Sequence, residues 1–84
     1  MDIFTKYLLL HTDELYKQPP PHVLRAVREK YKLTQVDVAK ITGVSFNKKG
    51  SSTVAKWETD PSKPDHRQIP YSAWRLLLIT LEVV

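Results

Sequence analysis

Apolar residues recur along this chain at helical spacing and are broken up by prolines and glycines. Asp2 can cap a helix over residues 2–16, on which Ile3, Phe4, Tyr7, Leu8 and Leu10 form an apolar cluster that Leu15 extends. Thr12-Asp13 is a point where that helix can be interrupted. Gln18-Pro19-Pro20-Pro21 ends the segment, because a residue before proline is pushed out of the helical region. Pro21 can sit in the first turn of a next helix, where its missing amide costs nothing. That helix, His22 to Tyr31, turns Val23, Leu24 and Val27 inward, with Tyr31 a candidate to join them. After Lys32, Thr34 is placed to cap a third helix carrying Val38, Ala39 and Thr42 on one face. Gly43 stops it where a positive φ is cheap. Val54 and Trp57, spaced i, i+3, form the inner face of a fourth. Pro70 opens a last helix in which Trp74, Leu77, Leu78 and Leu81 follow the i, i+3, i+4, i+7 pattern. Glu82-Val83-Val84 can fray or pair as a short strand.

The third and fourth helices set the organisation. Ala39 is small enough for a second helix to cross closely above it. The outer face of that second helix shows Ser51, Ser52, Ala55 and Lys56. A pair of this kind is a helix-turn-helix, whose second helix enters a DNA major groove. The expected fold is therefore all-α, a small domain of about four to five helices. Residues 1–20 are read as a helical extension that covers the core or contacts a partner, and residues 21–84 as the helix-turn-helix domain.

The usual turn of about three or four residues is exceeded here. Val44 to Gly50 intervenes before Ser51. One reading starts the fourth helix at Ser45 and keeps Gly50 inside it, at a cost of about 1 kcal/mol relative to alanine. The other extends the turn and starts the helix at Gly50 or Ser51. The second is preferred, because Gly50-Ser51-Ser52 supplies both a breaker and caps. Phe46 is expected to tuck against Ile41. Thr59-Asp60-Pro61 ends the helix, and residues 60–69 form a polar loop carrying Lys63 and Arg67.

Charge sharpens this picture. The formal net charge of the 84 residues is +4. Residues 22–56 hold eight basic and two acidic side chains, while both flanking stretches are slightly acidic. The excess thus falls on the helix-turn-helix, as binding to phosphates requires. A lysine-rich solvated surface would give the same total.

The chain has no cysteine, so disulfides and Cys-based zinc sites are excluded. His11, His22 and His66 lack ligand spacing, and no metal or cofactor is expected. No apolar run approaches the roughly 18 residues of a membrane span, and no secretory signal is recognisable. A cytoplasmic protein is expected. A chain this short buries a modest core, and no Gly-rich phosphate loop or Ser/His/Asp set is present, so an enzyme is the least favoured class.

Leu24-Arg25-Ala26-Val27-Arg28, Leu33-Thr34-Gln35, Val38-Ala39, Gly43-Val44-Ser45 and Thr53-Val54-Ala55-Lys56-Trp57-Glu58, in this order, resemble the Xre/Cro-type helix-turn-helix regulators of bacteria and phages. With the closing helix the resemblance covers roughly residues 22–81. Ile69 to Leu77 is also similar to small phage or mobile-element regulators of this type.

The resemblance implies a Cro/phage-repressor-like fold and a role for each matching position. Arg28 would pair with Glu58 as a structural ion pair. Ser51, Ser52 and Lys56 would face bases. Gln35 and Thr53 would lie at the DNA backbone, with Lys63 and Arg67 along the phosphates. The departure is an expansion at Phe46 to Gly50, where Asn47, Lys48 and Lys49 are expected to add backbone contacts. The implied function is sequence-specific binding of double-stranded DNA by a transcriptional repressor or autoregulator. It would act as a homodimer on an inverted repeat, in the cytoplasm of a bacterial or phage-infected cell. The extension and the closing helix are the candidate dimer surfaces. Two other classes stay open. One is an antitoxin-like protein whose N-terminal apolar segment holds a protein partner. The other is a protein-interaction module reusing the fold, for example on RNA polymerase.

Overall fold

The structure is a computed structural model that describes residues 5–8 and 17–82. Among the described residues the regular elements are five helices: α1 (Thr5–Leu8), α2 (Pro21–Lys30), α3 (Gln35–Thr42), α4 (Ser52–Trp57) and α5 (Tyr71–Thr80). No strand occurs among the described residues, so the all-α expectation holds for them. Most of the helix expected over residues 2–16, and the Val83-Val84 end, lie outside the described residues.

The helix boundaries follow local chemistry. Pro21 opens α2 directly after Pro20. The helix closes with Lys32 in the left-handed region at φ 56°. There the Lys32 and Leu33 amides donate back to the Glu29 and Arg28 carbonyls at 3.0 and 2.9 Å. This is a Schellman closure with lysine where glycine is usual. Thr34 caps α3: its hydroxyl accepts from the Asp37 amide at 3.0 Å, while the Asp37 carboxylate accepts from the Thr34 amide at 2.8 Å. Gly43 ends α3 at φ 80°.

The core consists of Val23 and Leu24 from α2, Val38 and Ala39 from α3, and Val54 and Trp57 from α4. Ile69 and the α5 residues Ala73, Trp74, Leu77 and Leu78 complete it. α3 lies at the centre and packs against both α4 and α5. Tyr7 and Leu8 also pack on this core. Their carbonyls accept from the Trp74 indole and the Arg75 guanidinium, both at 2.6 Å. The described part of the N-terminal segment therefore covers the core. Tyr31 does not join it: it follows the last residue of α2, is 38% exposed, and lies 5.8 Å from the Lys30 ammonium.

The capping box has a pH signature. The Asp37 carboxyl is held below its usual range, chiefly by the Thr34 backbone N–H and then by the Thr34 side chain. A carboxyl lowered on folding stabilises the native state above its unfolded value of about 3.9, and that contribution is lost as pH falls through the folded value. Asp37→Ala is therefore expected to lower the melting temperature at pH 7. The gap from the parent should narrow in melts recorded at progressively lower pH below about 4. A gap independent of pH would mean that the carboxylate is not the stabilising group.

Candidate nucleic-acid interface

The surface in question is built on α3, α4 and their connection. That connection is long, and α4 begins after it, at Ser52, as the extended-turn reading expects. The chain leaves Gly43, buries part of Val44, and then folds a tight hairpin. The Asn47 amide donates to the Gly50 carbonyl at 2.8 Å, and the Gly50 amide returns a bond at 3.2 Å. The Asn47 Oδ1 accepts from the Lys49 and Gly50 amides at 2.8 and 3.2 Å. Gly50 takes φ 148°, a conformation that residues with a Cβ rarely adopt. Lys48 and Lys49 form the exposed tip.

Ser51 fastens the hairpin to α4. Its hydroxyl donates to the Ser45 carbonyl at 2.7 Å and accepts from the Val54 amide at 3.2 Å. It is 3% exposed. This corrects the base-facing assignment of Ser51: the hydroxyl is buried and its one proton is committed to the Ser45 carbonyl. Ser52, the first residue of α4, and Lys56, in its last turn, are exposed, and Thr53 is half-buried.

At the far end of α4, Glu58 is clamped by three side chains. The Arg28 guanidinium donates Nε to Glu58 Oε2 at 2.6 Å and Nη2 to Oε1 at 3.0 Å. Gln35 Nε2 donates to Oε1 at 3.2 Å, and Arg25 Nη2 donates to the Glu58 carbonyl at 3.3 Å. The Arg28 and Glu58 side chains are 17% and 2% exposed, and the carboxylate raises the Arg28 pKa through that hydrogen bond. One N–H of the Gln35 side-chain amide thus serves this network, while the residue also lines the surface beside the hairpin. The Asn47 side-chain oxygen is likewise occupied by its own turn.

The polar loop folds onto α4. The Arg67 amide donates to the Lys56 carbonyl at 3.1 Å. Its guanidinium Nη1 donates to the carbonyls of Pro64 and His66 at 3.2 and 2.7 Å. His66 Nδ1 lies 2.8 Å from the Thr59 carbonyl, so that nitrogen carries the proton. Lys63 is exposed.

Two open grooves flank the hairpin. One, of about 860 Å³, runs between the hairpin and the start of α3 and includes Arg28, Gln35, Lys40, Phe46, Lys48 and Lys49. The other, of about 390 Å³, lies towards the start of α4 and includes Phe46, Asn47, Lys49, Ser52 and Ala55. Neither lining contains a carboxylate among the described residues. Among the described residues, no three His, Cys, Asp or Glu side chains are grouped to hold a metal, and no helix is long and apolar enough to cross a membrane.

Sequence reasoning missed the hairpin, the third arm of the Glu58 clamp from Gln35, and the place of Lys40 and Phe46 in the surface. Asn47-x-x-Gly50 is a turn signature that could have revealed the first. The others depend on partners remote in sequence. No protein-family model, no curated protein and no solved structure matches this chain.

Proposed function

We propose that the chain is a sequence-specific DNA-binding transcriptional regulator of the Xre/Cro type, a repressor or autoregulator. α3 and α4 are its helix-turn-helix, and α4 is the recognition helix. One observation carries the reading. Lys40, Lys48 and Lys49 line a groove without carboxylates beside the start of α3, and Lys56 stands exposed on α4. Such a surface offers cations to phosphates on one side and a short polar helix to base edges on the other. Ser52 and Lys56 face bases. Thr53, Lys48, Lys49 and Lys63 serve the backbone. A two-fold homodimer places two copies of α4 about 34 Å apart on an inverted repeat. Leu76 and Ile79, 45% and 54% exposed and three residues apart on α5, supply an apolar strip for that contact.

Selection of bound sites from random duplex DNA tests the reading. The parent should return a palindromic consensus, and Lys56→Ala should alter it at symmetry-related positions. Absence of any enriched site would end the proposal.

The hairpin has its own test. Lys48→Ala with Lys49→Ala should flatten the slope of log K against log salt by about 1 for each phosphate that the two ammonium groups neutralise. An unchanged slope would show that the tip does not touch phosphates.

A further inference from the structure

Phe46 is out of place as a core residue. Ile41 and Val44, which precede it, pack against the core, yet Phe46 is 48% exposed and does not join them there. Its ring lies 5.7 Å from the Lys40 ammonium, and it lines both grooves that flank the hairpin. The backbone on each side of it is pinned. The Ser45 carbonyl accepts from the Ser51 hydroxyl, and Asn47 exchanges two hydrogen bonds with Gly50. Because Ser51 also caps α4, the backbone that carries the ring is tied to that helix.

We propose that Phe46 is a specificity-determining residue that contacts the 5-methyl group of a thymine next to the bases read by α4. This inference rests on the DNA-binding reading. The surroundings select the occupant: the Lys40 ammonium lies over the ring, Lys48 and Lys49 share its groove, and no carboxylate among the described residues lines either groove. The site therefore suits a polyanion that presents a small apolar group among its charges. Duplex DNA does so in the major groove, where the thymine methyl is the apolar feature and phenylalanine is one of the side chains that contacts it. Tying down the backbone in advance reduces the ordering cost that a flexible loop would incur on binding.

The test compares sites selected by the parent and by Phe46→Ala, and then the parent's best duplex with each consensus thymine replaced in turn by deoxyuridine. That replacement deletes only the methyl group. Phe46→Ala should keep the Lys56-dependent positions and lose a thymine preference at one symmetry-related pair. Deoxyuridine at that pair should weaken the parent about fourfold per methyl and leave Phe46→Ala unaffected. Since the ring lies outside the core, the variant should melt with the parent. The parent–deoxyuridine arm needs no variant at all. If every deoxyuridine duplex binds the parent as tightly as its thymine original, or if parent and variant select the same sites, the thymine contact is refuted while DNA binding stands. Failure of the parent to bind any duplex in a salt-sensitive manner refutes both.

Discussion

Replacing Arg28 by methionine is expected to lower stability by about 3 kcal/mol, the largest loss from any single change proposed for this chain. The substitution leaves a carboxylate that is 2% exposed without its two shortest hydrogen bonds. Breaking a buried pair from one side costs about 3–5 kcal/mol. The lower end applies because Gln35 still donates to Oε1 and Arg25 Nε lies 3.7 Å from the same oxygen. For a domain of this size the loss corresponds to a fall in melting temperature of about 12–24 °C. Adding Glu58→Leu should restore most of it, since exchanging both charges for apolar groups of similar volume is often neutral or stabilising. Urea titration of the single and double variants measures both effects. A single-variant loss below about 1 kcal/mol would place the pair with solvated surface bridges instead.

The second large effect is expected at Ser51. Ser51→Ala removes the cap of α4, worth about 1 kcal/mol, and the bond to the Ser45 carbonyl, worth about another 1 kcal/mol. A total near 2 kcal/mol is expected by thermal or urea melting. Ser52→Ala, one residue along but exposed, should stay within about 0.5 kcal/mol of the parent. The contrast is informative because the two serines are equivalent in a linear reading. If both substitutions cost the same, the hydroxyl of Ser51 has no special place. Amide exchange should also quicken at Gly50 and Val54 in Ser51→Ala, because both the hairpin base and the first turn of α4 lose their shared tie.

What the sequence made legible was largely local. Thr34, Gly43 and Pro21 mark helix ends through bonds and torsions within a few residues, and the structure places all three as expected. Val38, Ala39, Val54, Trp57, Trp74, Leu77 and Leu78 are buried because helical spacing alone assigns a face. The limits appear where a side chain chooses among distant partners. Gln35 could turn outward to a phosphate or inward to Glu58, 23 residues away, and only the crossing of helices decides it. Ser51 reads as a cap or as a groove residue until the Ser45 carbonyl is found beneath it. Phe46 and Tyr31 look like core residues by composition, yet the hairpin and the end of α2 leave them outside. The Arg28–Glu58 pairing came from the resemblance, since charge and spacing alone do not join residues 30 apart.

The Glu58 clamp also bears on the order in which this fold assembles. The capping box, the Gly43 turn and the hairpin each close over fewer than ten residues, so little chain entropy delays them. The bonds to Glu58 span 23 to 33 residues, and the Trp74–Tyr7 bond spans 67. They are expected to form after the short loops have closed, on the native side of the folding barrier. The clamp is then a brake on unfolding and not a seed of folding. In stopped-flow experiments Arg28→Met should speed escape from the native state while refolding proceeds at nearly the parental rate.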